Sequence, residues 1–238
     1  MNTTSREDTD EQSVSITAGS VQLEGVLMVP SETAGIVLFA HGGGSSLYST
    51  RNRFIAHELR QAGLATLLIS LMTQEEETID IQTQRFRFDV ALLTARILSV
   101  TAWLINHPNT CHLKIGYLGD DVAGSAALLA AAEHSQALGA IAIRSGRTDL
   151  AYHRLTQIQV PTLLIVGSTD EETVGMNQCA LSQIRAEKQL EIISGASHLF
   201  AEPDALAEVA RLTSQWFKHY LIAAVPPSPS QNEHSTLS

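Results

Sequence analysis

Three short stretches of this chain carry residue types that can do covalent chemistry. The first is YLGDDVAGS, residues 117–125. An apolar run, LKIGYL, leads into it, and a small-residue helical run, AGSAALLAAAEH, leads out. A strand that bends sharply into a helix can present a nucleophilic side chain at its apex, and the crowded bend needs small residues at its ends. Gly119-Asp120-Asp121-Val122-Ala123 has that shape, with Asp121 at the centre. A carboxylate can act as a covalent nucleophile. An aspartate before a helix is also a favoured N-cap, stabilised by the helix dipole. The second stretch is GSTDEE, residues 167–172, where Asp170 either orients a histidine or forms an acidic turn. The third is GASHLF, residues 195–200, where His198 is a candidate general base.

A glycine-rich loop, AHGGGSS at residues 40–46, adds a fourth piece. Glycines let backbone N–H groups approach a ligand closely, so this loop is a candidate oxyanion donor or a tight strand–helix turn. A phosphate loop is the competing reading, but the GKS or GKT ending is absent. Gly116, Gly119 and Gly124 do not have GxGxxG spacing, which excludes a dinucleotide loop at the bend. Arg144 and Arg147, in IRSGRTD, either grip an anionic substrate group or pair with Asp149 and local carbonyls. Ser125 lies four residues past Asp121, one turn into the helix, poorly placed to replace it as nucleophile. Glu75–Glu77 reads as a solvated acidic loop and Met72 as core.

These pieces need a scaffold. VSITA and VQLEGVLMV alternate apolar and polar residues, as a half-buried hairpin does. GIVLFAHG, ATLLISLM, LKIGYLG, LGAIAIRSG, PTLLIVGS and KQLEIISG are apolar runs suited to buried strands. Helical patterns fall between them: RNRFIAHELRQAG, residues 89–107 ended by Pro108, AGSAALLAAAEH, residues 174–186 and residues 203–221. Repeated strand–helix alternation predicts an α/β domain, a mostly parallel sheet with helices on both faces. Chemistry in such sheets sits beyond the carboxyl ends of the strands, where the four loops fall.

The chain has 238 residues, 44% hydrophobic and 17% charged, with a formal net charge of −10. One ordered domain over residues 13–222 is predicted, with polar, disordered tails at 1–12 and 223–238. An acidic chain without a basic block is a poor partner for nucleic acid or an anionic membrane. No apolar h-region opens the chain and no run reaches the roughly 20 apolar residues of a membrane helix, so a cytoplasmic location is expected. Cys111 and Cys179 make neither a disulfide framework nor a metal cluster. No metal or cofactor is expected; the expected partner is a small-molecule substrate.

The order of the loops is glycine loop, bend, acid, histidine, which is the α/β-hydrolase order. Over about residues 14–221 the chain resembles the dienelactone-hydrolase-like branch of that fold. The resemblance is carried by VQLEGVLMVP, LFAHGGGSS, RNRFIA, LATLLISLMTQEEE, RFRFD, IGYLG, IRSGRTDLA, PTLLIVG and ISGASHLFAEP. It implies one roughly eight-stranded domain without a cap, and hydrolysis of a small ester or lactone. It also implies Asp170 as the acid and His198 as the base of a triad, with the Gly43 and Val122 N–H groups as the oxyanion hole. Members of the family carry Ser or Cys where this chain has Asp121. Some α/β-hydrolases that act on haloalkanes and epoxides use Asp there, but carry helical caps; residues 146–159 leave too little chain for one. The readings that follow are a hydrolase with an Asp nucleophile, an inactive ligand-binding or regulatory homologue, and a dehalogenase-like hydrolase.

Overall fold

The computed structural model describes residues 11–42, 47 and 49–222. Eight strands form one sheet in the order β1-β2-β4-β3-β5-β6-β7-β8. β1 (Gln12–Ala18) and β2 (Val21–Met28) make the expected antiparallel hairpin at one edge. β1 opens at Gln12, inside the stretch read as tail, because Gln12 pairs with Leu27. β2 then pairs antiparallel with β4 (Ala65–Ser70). From β4 onward every pairing is parallel, through β3 (Gly35–His41), β5 (Lys114–Asp120), β6 (Leu138–Arg144), β7 (Thr162–Gly167) and β8 (Lys188–Ile193).

Both faces of the central strands are apolar, so both are covered. β3 sends Val37 and Phe39 to one face, where they join Ile55 and Leu59 of α1 (Thr50–Gln61) and Val209 and Phe217 of α6 (Ala205–Phe217). It sends Ile36, Leu38 and Ala40 to the other. There they meet Leu93 and Ile97 of α3 (Val90–Asn106), Ala126 and Ala127 of α4 (Asp121–Glu133), and the layer continues to Ala180 of α5 (Glu171–Gln183). Two-sided burial is why these strands read as continuous apolar runs rather than alternating ones. Between β6 and β7 the chain holds only short 3-10 turns over Thr148–Gln157, and no cap domain intervenes.

One helix was not expected. Glu75–Glu77 lie in the first turn of α2 (Gln74–Thr83), not in a loop. Thr73 accepts a hydrogen bond from the Glu76 N–H, and the Glu76 carboxylate accepts one from the Thr73 N–H, a reciprocal capping box. Glu76 also takes both guanidinium nitrogens of the buried Arg96, each at 2.6 Å. Burial pushes the Glu76 carboxyl up, but the Arg96 and Thr73 donors outweigh it and hold the group below the usual carboxylate range.

Candidate active site

The carboxyl ends of β3, β5 and β6 open onto a cleft of about 750 Å³, lined by His41, Asp121 and His198 among others. Asp121 sits at the β5–α4 bend with φ 44°, in the left-handed region that L residues other than Asn and Asp seldom enter. Such strain of order 1–3 kcal/mol persists only where the surroundings enforce it. Here the bend is closed by Gly119 packing on Gly124: a Cβ on Gly119 would lie 2.7 Å from the Gly124 Cα. Asp121 is no N-cap. The cap position belongs to Asp120, whose side chain makes no capping hydrogen bond either. Burial raises the Asp121 pKa, and the neighbouring Asp120 charge raises it further; His198, Arg147 and the Val122 N–H pull the other way without reversing the shift.

Asp170 and His198 meet. His198 Nδ1 is 2.7 Å from Asp170 Oδ2, which leaves Nε2 for the cleft. Asp170 plays both of the parts weighed from the sequence: its other oxygen caps α5 by accepting the Thr173 N–H at 3.2 Å. Burial acts to raise its pKa, but the Thr173 and His198 bonds prevail and lower it. The histidine loop can lie this close to β7 because residue 167 is glycine; a Cβ there would sit 2.4 Å from the Ala196 carbonyl oxygen. The Ser145 hydroxyl, on a residue with φ 45°, donates to the His198 carbonyl at 2.7 Å and ties the loop to the end of β6.

Of the two arginines expected to grip substrate, neither is idle. Arg147 gives its fork to Asp149, with both contacts at 3.0 Å, and serves the local fold. Arg144 does line the cleft, yet it is buried and donates to Asp120 at 3.1 Å and to Asn52. Its charge is already matched from within the protein. Ser125 is fully buried and donates to the Arg147 carbonyl, which removes it as a nucleophile. Val122 is buried at the first turn of α4. Gly43 lies outside the described residues.

The sequence reading missed His41. Its ring is buried, with Nδ1 2.7 Å from Asp120 Oδ1. The signal was present: a histidine at the last position of an otherwise apolar strand, just before the glycines. It also missed Arg51, which lines the same cleft.

Comparison with known proteins gives the family. The model of the dienelactone hydrolase family matches residues 23–221. A crystal structure of dienelactone hydrolase from Anabaena variabilis is 53% identical, covers 89% of this chain and 98% of its own, and superposes with a TM-score of 0.87. The chain belongs to the dienelactone hydrolase family. Structures only 14% and 16% identical share the α/β-hydrolase fold: Est1E from Butyrivibrio proteoclasticus, TM-score 0.72, and a lidless α/β serine hydrolase from Xanthomonas campestris, TM-score 0.69. Proteins from two Mycobacterium tuberculosis strains, both named "Putative phosphoribosyl transferase", are 43% identical over 220 residues. This member of the dienelactone hydrolase family covers 48% of their length, so it spans about half of those relatives.

Proposed function

We propose that this dienelactone hydrolase family member is a hydrolase of small esters, lactones or related electrophiles in which Asp121 is the covalent nucleophile. One observation carries the reading. Asp121 is held at φ 44° on the strand–helix bend and lines the same cleft as His198, whose Nδ1 is 2.7 Å from Asp170 Oδ2. Asp121 is not the cap of α4, a position held by Asp120.

The carboxylate sets the reaction type. Attack of Asp121 on an acyl carbon makes a mixed anhydride and expels an alkoxide, an uphill step. Attack on an sp3 carbon makes an ordinary ester on Asp121 and releases the displaced group. The favoured substrates therefore present a displaceable oxygen or halide on an alkyl carbon: a strained lactone opened at its alkyl C–O bond, a cyclic ether or a haloalkane. Water then attacks the Asp121 ester, with His198 Nε2 taking its proton and Asp170 holding the ring. The Val122 N–H, with that of Gly43, receives the oxyanion in this second step. Met72, Leu199 and Phe200 supply apolar wall for a small substrate. With a net charge of −10, neither nucleic acid nor membrane is proposed as a partner. The transferase name of the longer relatives is not carried over, because the half they share with this chain is the half that carries the hydrolase family model here.

The test is trapping. Incubation with 1-bromohexane or 1,2-epoxyhexane, quenched within one turnover and followed by peptide mass spectrometry, is expected to give a hexyl or hydroxyhexyl ester on Asp121. No adduct on Asp121, with no turnover of either reagent or of short lactones, assigns the cleft to binding rather than catalysis.

A further inference from the structure

A second histidine–carboxylate pair stands beside the first. β3 and β5 are neighbours, with Ala40 opposite Gly119, so His41 falls next to Asp120 at the strand ends. His41 Nδ1 and Asp120 Oδ1 are 2.7 Å apart, the same separation as in the His198–Asp170 pair. The other Asp120 oxygen accepts from Arg144, which is held in turn by Asn52. The His41 side chain is 8% exposed, and its Nε2 is buried with no hydrogen-bond partner among the described residues. Buried polar atoms are nearly always paired, and an orphan in a cleft wall asks for a ligand. Arg144 and Asp120 are already committed to each other; Nε2 of His41 is not.

We propose that His41 is the general acid of the first chemical step, with Nε2 delivering a proton to the oxygen that leaves the carbon attacked by Asp121. This rests on the reading of Asp121 as nucleophile and gives that site its substrate class: electrophiles whose oxygen leaves as an alkoxide, such as strained cyclic ethers. An Asp121 oxygen forms a bond to the carbon, the C–O bond to the leaving oxygen breaks, and that oxygen takes the proton from the His41 imidazolium. The ring is left neutral, still donating through Nδ1 to Asp120. In the second step water adds to the Asp121 ester carbonyl, and His198 takes a water proton and passes it to the departing alcohol. The Asp121 carboxylic acid so formed gives up its proton, which restores the His41 imidazolium. Asp120 is suited to this part because it stays ionised: burial acts to raise its pKa, but His41 and Arg144 outweigh that and hold it well below the usual carboxylate range. The two pairs thus divide the labour, His41 as acid and His198 as base.

The experiment compares two leaving groups on one alkyl chain. A bromide leaves unaided; the oxygen of 1,2-epoxyhexane leaves as an alkoxide and needs a proton. In His41→Gln, single-turnover labelling of Asp121 by 1,2-epoxyhexane is expected to slow by at least about 100-fold, the usual worth of a positioned acid. Labelling by 1-bromohexane is expected to stay within about threefold. Equal loss on both reagents, or no loss on either, overturns the proposal while leaving Asp121 as nucleophile. Labelling of wild type by neither reagent overturns both.

A measurement on the wild type guards against a variant that fails to fold. Labelling of the wild type by 1,2-epoxyhexane is expected to be slower in D2O than in H2O, because a proton moves in that step, and labelling by 1-bromohexane is expected to be unchanged. Equal rates in the two solvents for both reagents count against an acid in that step.

Discussion

Asp121 is the nucleophile we propose, and its environment makes it a liability for folding. Its pKa is raised in the folded state, chiefly by burial and then by Asp120. A carboxyl with a raised folded pKa favours folding at pH values below its unfolded pKa and loses that contribution as pH rises through the folded one. At pH 7 the ionised group therefore opposes folding. Asp121→Asn is expected to melt at a higher temperature than wild type at pH 7, with the gain shrinking as pH falls through the carboxylate range; differential scanning calorimetry from pH 3 to 8 measures this. The same substitution should abolish adduct formation. His198→Gln should do the opposite: the first step survives without its base, hydrolysis stalls, and the Asp121 ester accumulates in mass spectra of the protein. Asp170→Asn should lower turnover of 1,2-epoxyhexane by about 100-fold or more, since the ring loses the carboxylate that orients it.

The elements hold these residues by close contacts that tolerate little. A methyl group at residue 167 would meet the Ala196 and Ser197 carbonyls at 2.4 and 2.5 Å, so Gly167→Ala should push the histidine loop off β7. The expected cost is about 1–3 kcal/mol in urea unfolding, with a loss of turnover beyond what the remaining folded fraction explains. α2 depends on the Glu76–Arg96 pair. Glu76→Ala removes the capping box and strands a buried guanidinium, and should cost about 3–5 kcal/mol. The strands were legible because two-sided burial writes itself as uninterrupted Val, Ile and Leu. α2 was not, because its acidic first turn imitates a solvated loop; its one local sign was Thr73 three residues before Glu76. Asp121, Asp170 and His198 stood out as polar residues in loops after apolar runs. Arg144 misled for the reason that His41 was missed: both close buried strands, and a sequence does not say which strand-end charges find each other. Only the β3-β5-β6 adjacency puts His41, Asp120 and Arg144 in one network.

At the scale of the molecule, several carboxylates are tied into the fold in their ionised form. Asp80, Glu76, Asp120 and Asp170 all have lowered pKa values: burial works against the charge, and arginine, histidine or backbone donors overcome it. Such groups stabilise above their unfolded pKa and lose that contribution as pH falls through the folded one. The melting temperature is expected to hold from neutral pH to about 5 and then drop steeply toward pH 2. Among the described residues no helix is long and apolar enough to cross a membrane. Among the described residues no cap domain lies between β6 and β7. Isotope tracing tests the central claim most directly. One turnover of 1,2-epoxyhexane in water enriched in oxygen-18 should place the heavy oxygen in the Asp121 carboxylate, found by peptide mass spectrometry, and leave the first diol product unlabelled. Heavy oxygen in that first product, with none in Asp121, would mean that water attacks the substrate itself and that Asp121 is not the nucleophile.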